Sequence, residues 1–161
     1  MIVGIMSDTH DNLPLVKKAI EVFNEREVGY VIHAGDYTSP FTLKLFQDLR
    51  CEYTGIFGNN DGDKLLLQER AGGRIRNQPY VFTLEGKKIV VMHEHHVVEA
   101  LAASGHFDIV IFGHTHEAVV RKVKETLLVN PGEVSTYLYG KSTVAVVDLE
   151  TLEAEILELK L

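Results

Sequence analysis

Seven side chains able to bind a divalent metal fall at the ends of apolar runs: Asp8, His10, Asp36, Asn59, His93, His114 and His116. The most compact case is Phe112-Gly113-His114-Thr115-His116, where two imidazoles follow the apolar run that begins at Ile109. Two imidazoles cannot complete a coordination shell, so this loop needs partners from elsewhere in the chain. Taken singly, an Asp or His after a strand is usually a cap or a turn residue. Five strand ends that all carry such residues point instead to one shared crevice. Seven donors are too many for one tetrahedral ion and suit two ions about 3.5 to 4 Å apart that share a bridging carboxylate. With no thiolate in the set, Mn²⁺, Fe²⁺, Co²⁺, Ni²⁺ and Zn²⁺ are the candidates.

The elements that would position these donors can be read in order. Residues 2–6 are continuously apolar, as in a strand covered on both faces, and lead into Ser7-Asp8-Thr9-His10-Asp11-Asn12. A helix is expected from Asn12 or Leu13, with Pro14 in its first turn and Val16, Ala19, Ile20 and Phe23 on its buried face, fading at Glu27 to Gly29. Tyr30 to Ala34 is the second strand, closed by Gly35-Asp36, and Ser39-Pro40 predicts the start of a second helix with Leu45, Phe46 and Leu49 buried. Tyr53 to Phe57 is the third strand, ending in Gly58-Asn59-Asn60-Asp61, and Lys64 to Ala71 a short helix stopped by Gly72-Gly73.

Tyr80 to Leu84 and Lys88 to Met92 read as a hairpin whose second strand ends in His93-Glu94-His95-His96, with a helix from about Val97 to Ser104 after it. Beyond His116, short strands at Ala118 to Val123, Thr126 to Val129, Thr143 to Leu149 and Ala154 to Leu159 suggest antiparallel pairing. The last alternates as an edge strand would. In open α/β sheets, loops at the carboxyl ends of strands converge on one crevice, which would bring the seven donors together.

The 161 residues, 45% hydrophobic and 24% charged, fit a single domain spanning 1–161. No apolar run approaches the roughly 20 residues of a membrane span, and no basic segment precedes Ile2, so a cytoplasmic protein without membrane contact is expected. Cys51, the only cysteine, reads as a core residue and not a nucleophile. A net charge of −7 opposes stable nucleic-acid binding. Two divalent cations would outweigh the two acidic donors and make the pocket locally positive, so a small phosphorylated substrate is compatible with that charge.

Asp8-x-His10, Gly35-Asp36, Gly58-Asn59-Asn60-Asp61, His93 and Gly113-His114-x-His116 occur in the order of the motif series of calcineurin-like metallophosphoesterases, and the chain resembles the small archaeal and bacterial phosphodiesterases of that superfamily from residue 2 to about Gly132. The resemblance implies an α/β fold, a four-layer α/β/β/α sandwich of two mixed sheets with the metal site at the C-terminal strand ends. It implies that Asp8, His10 and His116 hold one metal, that Asn59, His93 and His114 hold the other, and that Asp36 bridges them. Mn²⁺ or Ni²⁺ is the first expectation. A metal-bridging hydroxide would then attack phosphorus in line. The expected substrate is a small phosphodiester, a cyclic nucleotide among the candidates, and a homo-oligomer is compatible with the family. A phosphomonoesterase and a non-catalytic metal-binding scaffold, as in the retromer scaffolding subunit of similar fold, are the competing readings.

Two departures concern the proton donor. Many relatives carry His where this chain has Asn60, and asparagine cannot donate a proton, although it can orient a phosphate oxygen. His95 is the substitute the sequence offers, with Glu94 where the small relatives commonly have glycine. His33, inside a strand, is expected to be a buried support, and His96 and His106 are assigned no part. Asp61 is expected to hold Asn60 or to cap the helix that follows. Asn130-Pro131-Gly132 resembles a family loop near the site.

Overall fold

The computed structural model describes residues 1–161. Strand β1 (Ile2–Met6) is apolar throughout because both its faces are covered. Val3 and Ile5 face a second sheet, while Met6 faces helices. Helix α1 (Leu13–Glu25) starts at Asn12, whose side chain accepts from Leu15 N–H, and has Pro14 in its first turn. Its buried stripe is Leu15, Val16, Ala19, Ile20 and Phe23. Phe23 lies so close to β1 that a Cβ on Gly4 would sit 2.8 Å from its ring.

The chain then forms β2 (Tyr30–His33), a 3₁₀ helix (Thr42–Asp48), β3 (Glu52–Ile56), α2 (Lys64–Arg70) and a two-residue strand β4 (Ile75–Arg76). The hairpin follows as β5 (Tyr80–Leu84) and β6 (Lys87–Val91), then α3 (Val98–Ala103), β7 (Ile109–Ile111), β8 (Ala118–Val123), β9 (Thr126–Pro131), β10 (Ser142–Asp148) and β11 (Glu153–Leu159). Six strands in the order β11-β10-β1-β2-β3-β4 make one mixed sheet, and five in the order β5-β6-β7-β9-β8 make the other.

The sheets pack face to face through Val3, Ile5, Ile32 and Ile56 on one side and Ile89, Val91, Ile109, Ile111, Leu127 and Val129 on the other. A second apolar cluster joins α1 and the 3₁₀ helix to the outer face of the six-stranded sheet, and a third joins α3 to the outer face of the other. This is the four-layer α/β/β/α sandwich with two mixed sheets. β11 lies at an edge, as its alternation predicts.

Three expectations differ. The segment after Ser39-Pro40 is a 3₁₀ helix, in which Ser39 and Thr42 donate their hydroxyls to Asp11 Oδ1, at 2.9 and 2.8 Å, while Ser39 Oγ also accepts from Phe41 N–H at 3.4 Å. Its three-residue period buries Leu43 and Phe46, with Leu49 partly covered in the same row, whereas Leu45 is only partly buried. β9 pairs antiparallel with β8 but parallel with β7. β4 had no counterpart among the expected strands, being too short to show a period.

Candidate metal centre

The loops after β1, β2, β3, β6 and β7 meet at one end of the sandwich and bring all seven predicted donors together. Asp8, Asp36 and His93 are fully buried, His10, His114 and His116 are partly covered, and Asn59 is exposed. Asp36 Oδ2 lies midway, 3.4 Å from both His10 Nε2 and His93 Nε2. On one flank His116 Nε2 is 3.2 Å and His10 Nε2 3.8 Å from Asp8 Oδ1. On the other, Asn59 Oδ1 is 2.9 Å from His93 Nε2 and 3.0 Å from His114 Nδ1. Asp8, His10 and His116 form one group whose ligating atoms lie within 4.8 Å of one another, and Asp8, Asp36 and His93 form another.

Five donors sit in left-handed backbone: Asp8 at φ 52°, His10 at 40°, Asp36 at 61°, His114 at 66° and His116 at 62°. Such angles are uncommon outside glycine and cost of order 1–2 kcal/mol each. They turn the side chains back over the sheet ends. The glycines in front of the donors serve two different purposes. Only Gly35, at φ 99°, needs the turn that glycine permits. A Cβ on Gly58 would overlap Asp36 Oδ1, and one on Gly113 would overlap Ser7 Oγ and come within 2.8 Å of Asp8 Oδ2.

Hydrogen bonds fix the imidazole tautomers. His93 Nδ1 lies 2.8 Å from the Ala34 carbonyl and must donate to it, so its Nε2 lone pair faces Asn59 Oδ1 and Asp36 Oδ2. A lone pair against two oxygens is repulsive unless a cation or proton lies between them. His116 Nδ1 donates to Glu133 at 2.6 Å, which aims its Nε2 at Asp8. Asp8 Oδ1 and His10 Nε2 are buried without any hydrogen-bond partner. Orphaned buried groups cost about 1–3 kcal/mol each, and a divalent cation between these two would relieve both. The donor set therefore fits metal.

Charge in the metal-free protein follows the same geometry. Burial opposes ionisation of Asp8, but His10, His116 and Ser7 hold its carboxyl well below the usual range. Burial likewise opposes the charge on Asp36, which His93 and Asn60 outweigh. His93 is raised by Asp36 against the effect of its burial. His116, also penalised by burial, is raised to about 9 by Asp8 and Glu133. His114 is lowered by burial and by its neighbour His93.

The supporting residues divide into those the sequence marked and one it did not. His33 is fully buried, accepts Gly35 N–H at Nδ1 and so must donate from Nε2 to Thr9 Oγ1, which donates in turn to the Asp36 carbonyl. Burial pushes its pKa down to about 3. Asp61 neither holds Asn60 nor caps α2. Its oxygens accept from Gly58, Asp36 and Thr38 N–H, and Asp63 caps the helix. Glu133 is the residue missed. Fully buried, it accepts from His116, Ser135 Oγ and the N–H groups of Leu138 and Tyr139. A carboxylate in the otherwise uncharged run from Leu127 to Thr136 was the available signal.

Asn60 donates from its backbone and side-chain nitrogens to the two oxygens of Asp36, both at 2.8 Å. His95 is exposed at the rim, its ring nearly parallel to that of His114 at 5.8 Å, with His96 stacked on it at 4.3 Å. His106 is exposed and makes no contact with the site residues. Cys51 is partly buried and burial raises its pKa, the opposite of an activated nucleophile.

Residues 1–152 match the calcineurin-like phosphoesterase superfamily domain. The chain belongs to that superfamily. It is a metal-dependent phosphoric ester hydrolase. A phosphodiesterase of Methanocaldococcus jannaschii is 42% identical over 159 residues, covering 95% of this chain and 96% of that protein. A solved structure described as a novel archaeal phosphodiesterase superposes with a TM-score of 0.93 at 40% identity, over 99% of this chain and all of the other. Vps29 of Entamoeba histolytica, solved with Zn²⁺, shares the fold at a TM-score of 0.70 and 21% identity, over 99% of this chain and all of its own. For this metallophosphoesterase, no helix is long and apolar enough to cross a membrane.

Proposed function

We propose that this metallophosphoesterase hydrolyses small phosphodiesters with two divalent cations. Asp8, His10 and His116 would hold one, Asn59, His93 and His114 the other, and Asp36 would lie between them. The observation that carries this reading is the central placement of Asp36 Oδ2, 3.4 Å from an imidazole nitrogen on each side, beside the two buried orphans Asp8 Oδ1 and His10 Nε2. The cations would polarise the phosphoryl oxygens and supply an ionised water near neutral pH, so no protein base is needed for attack. Mn²⁺ or Ni²⁺ suits the mixed nitrogen and oxygen donors.

The chain's own part is orientation and proton control. Ala34 and Glu133 keep the Nδ1–H tautomer on His93 and His116, leaving Nε2 free to coordinate. Asn60 and the Asp61 clamp hold Asp36 in place. Asn60 has no acidic proton, and its amide already serves Asp36, so protonation of the leaving oxygen is assigned to His95 at the rim. No lysine or arginine pairs with a site residue. That favours a diester over the more highly charged monoester.

Stripping the protein with a chelator, adding back Mn²⁺ or Ni²⁺, and assaying a bis-aryl phosphodiester beside the aryl monoester tests the reading. Faster cleavage of the diester, lost in His114→Ala, is expected. No hydrolysis under any metal, or a His114→Ala variant equal to wild type, overturns it, and a monoester preference moves it to the phosphomonoesterase. For the proton donor, His95→Ala should lose rate selectively on diesters with poor leaving groups, whereas Asn60→Ala should lose rate uniformly. A uniform loss in His95→Ala removes that assignment.

A further inference from the structure

Three consecutive apolar side chains stand in water beside the site: Tyr137, Leu138 and Tyr139, exposed by 67%, 64% and 58%. Their backbone is nevertheless tightly held. Leu138 and Tyr139 N–H donate to Glu133 Oε1 at 3.0 and 2.7 Å, and Gly140 N–H closes the turn onto the Thr136 carbonyl at 3.2 Å. The other oxygen of Glu133 accepts from His116. One buried carboxylate thus fixes both a donor of the metal centre and this loop. The Tyr137 ring meets the His10 ring edge-on at 5.9 Å.

We propose that Tyr137 is the platform for the retained ester arm of the substrate, and that this arm is flat and aromatic, a nucleobase or an aryl group. The proposal rests on the phosphodiesterase reading above. With phosphorus over the metal centre and attack in line, the nucleophile lies opposite the departing arm, and the retained arm projects to the side of that axis, away from the departing one. His95, assigned to the leaving oxygen, stands beside His114, so the departing arm lies there. Tyr137 stands beside His10, on the other flank, within the half of the site left open to the arm that stays. No charged side chain pairs with Tyr137, so what it offers is a π-face. A tyrosine on a backbone already pinned loses little freedom on binding.

Two diesters with the same p-nitrophenyl leaving group, one with a phenyl and one with a methyl retained arm, test this on the Mn²⁺-loaded enzyme. Tyr137→Ala should lower kcat/KM on the phenyl diester by about 5- to 150-fold, the range of one lost aromatic stack, and on the methyl diester by less than about 2-fold. Tyr137→Phe should keep the wild-type preference. Inhibition by phenyl phosphate should weaken in Tyr137→Ala while inhibition by inorganic phosphate does not. Equal losses on both diesters, or none, overturn the platform and leave the phosphodiesterase standing. Failure of the wild type on both diesters brings down the phosphodiesterase reading itself. A fall in oligomeric state in Tyr137→Ala, by light scattering, with arm preference unchanged, assigns the patch to a second copy of the chain and also overturns the proposal.

Discussion

Replacing Glu133 with glutamine should weaken metal binding without unfolding the protein. Glu133 Oε1 serves the Leu138 and Tyr139 amides, and Oε2 serves His116 Nδ1 at 2.6 Å and Ser135 Oγ at 2.7 Å. A glutamine can keep its one oxygen on the two amides, which turns its NH₂ toward His116 and Ser135. Ser135 can rotate to accept. His116 can accept only by moving its proton to Nε2, the atom 3.2 Å from Asp8 Oδ1 that would face the metal. The variant should therefore bind Mn²⁺ or Ni²⁺ about 10- to 100-fold more weakly, or about 1.4 to 2.8 kcal/mol. One charge-assisted hydrogen bond of about 1.5–3 kcal/mol is the most that folding stability should lose. Competition with a chromophoric chelator measures the affinity, and ¹⁵N chemical shifts of the imidazole report the tautomer. Wild-type affinity with His116 still protonated at Nδ1 would refute the reasoning.

Other outcomes follow from the same geometry. His116 is raised to about 9 in the metal-free protein, so metal binding at pH 7 should expel a proton and weaken as pH falls; calorimetry in two buffers of different ionisation heat should show that proton, and identical heats would remove the claim. His33, neutral in the fold down to about 3, takes a proton in the unfolded chain below about 6.5, so it should subtract stability as pH falls from 6.5 toward 3, by about 1.4 kcal/mol per unit. Urea unfolding between pH 6.5 and 5 should show that slope in wild type and a shallower one in His33→Phe. Gly113→Ala places a methyl against Ser7 and Asp8 and should cost about 1–3 kcal/mol by thermal melting, with weakened metal binding; an unchanged melting temperature would show that the loop yields freely.

Much of this architecture was legible because it rests on local patterns. The both-faces-buried run at Ile2–Met6 and the Asn12, Pro14 and Phe23 signals of α1 depend on neighbours in sequence, and so does the turn of the Tyr80 hairpin. Convergence of the donors followed from strand ends alone. What could not be read depends on partners remote in the chain. Ser39 looks like the cap of an α-helix, and nothing near it in sequence shows that its hydroxyl and that of Thr42 tie the segment to Asp11, 28 residues before Ser39. Gly58 and Gly113 look like turn residues until the carboxylates of Asp36 and Asp8 are found against them. Glu133 has no periodicity to betray it, since its four donors come from His116 and from a loop without regular structure.

The left-handed backbone at Asp8, His10, Asp36, His114 and His116 has a consequence for descent. Each of those angles would be relaxed by glycine, which offsets part of what the metal-free fold loses with the donor's hydrogen bonds. A lineage that no longer needs the reaction loses least at His10 and His114, whose partners Thr38 and Asn59 are not fully buried, and most at Asp36 and His116, on which Asn60 and the buried Glu133 depend. Decay should therefore begin at His10 and His114, while Asp61, whose three backbone partners belong to the fold, persists longer.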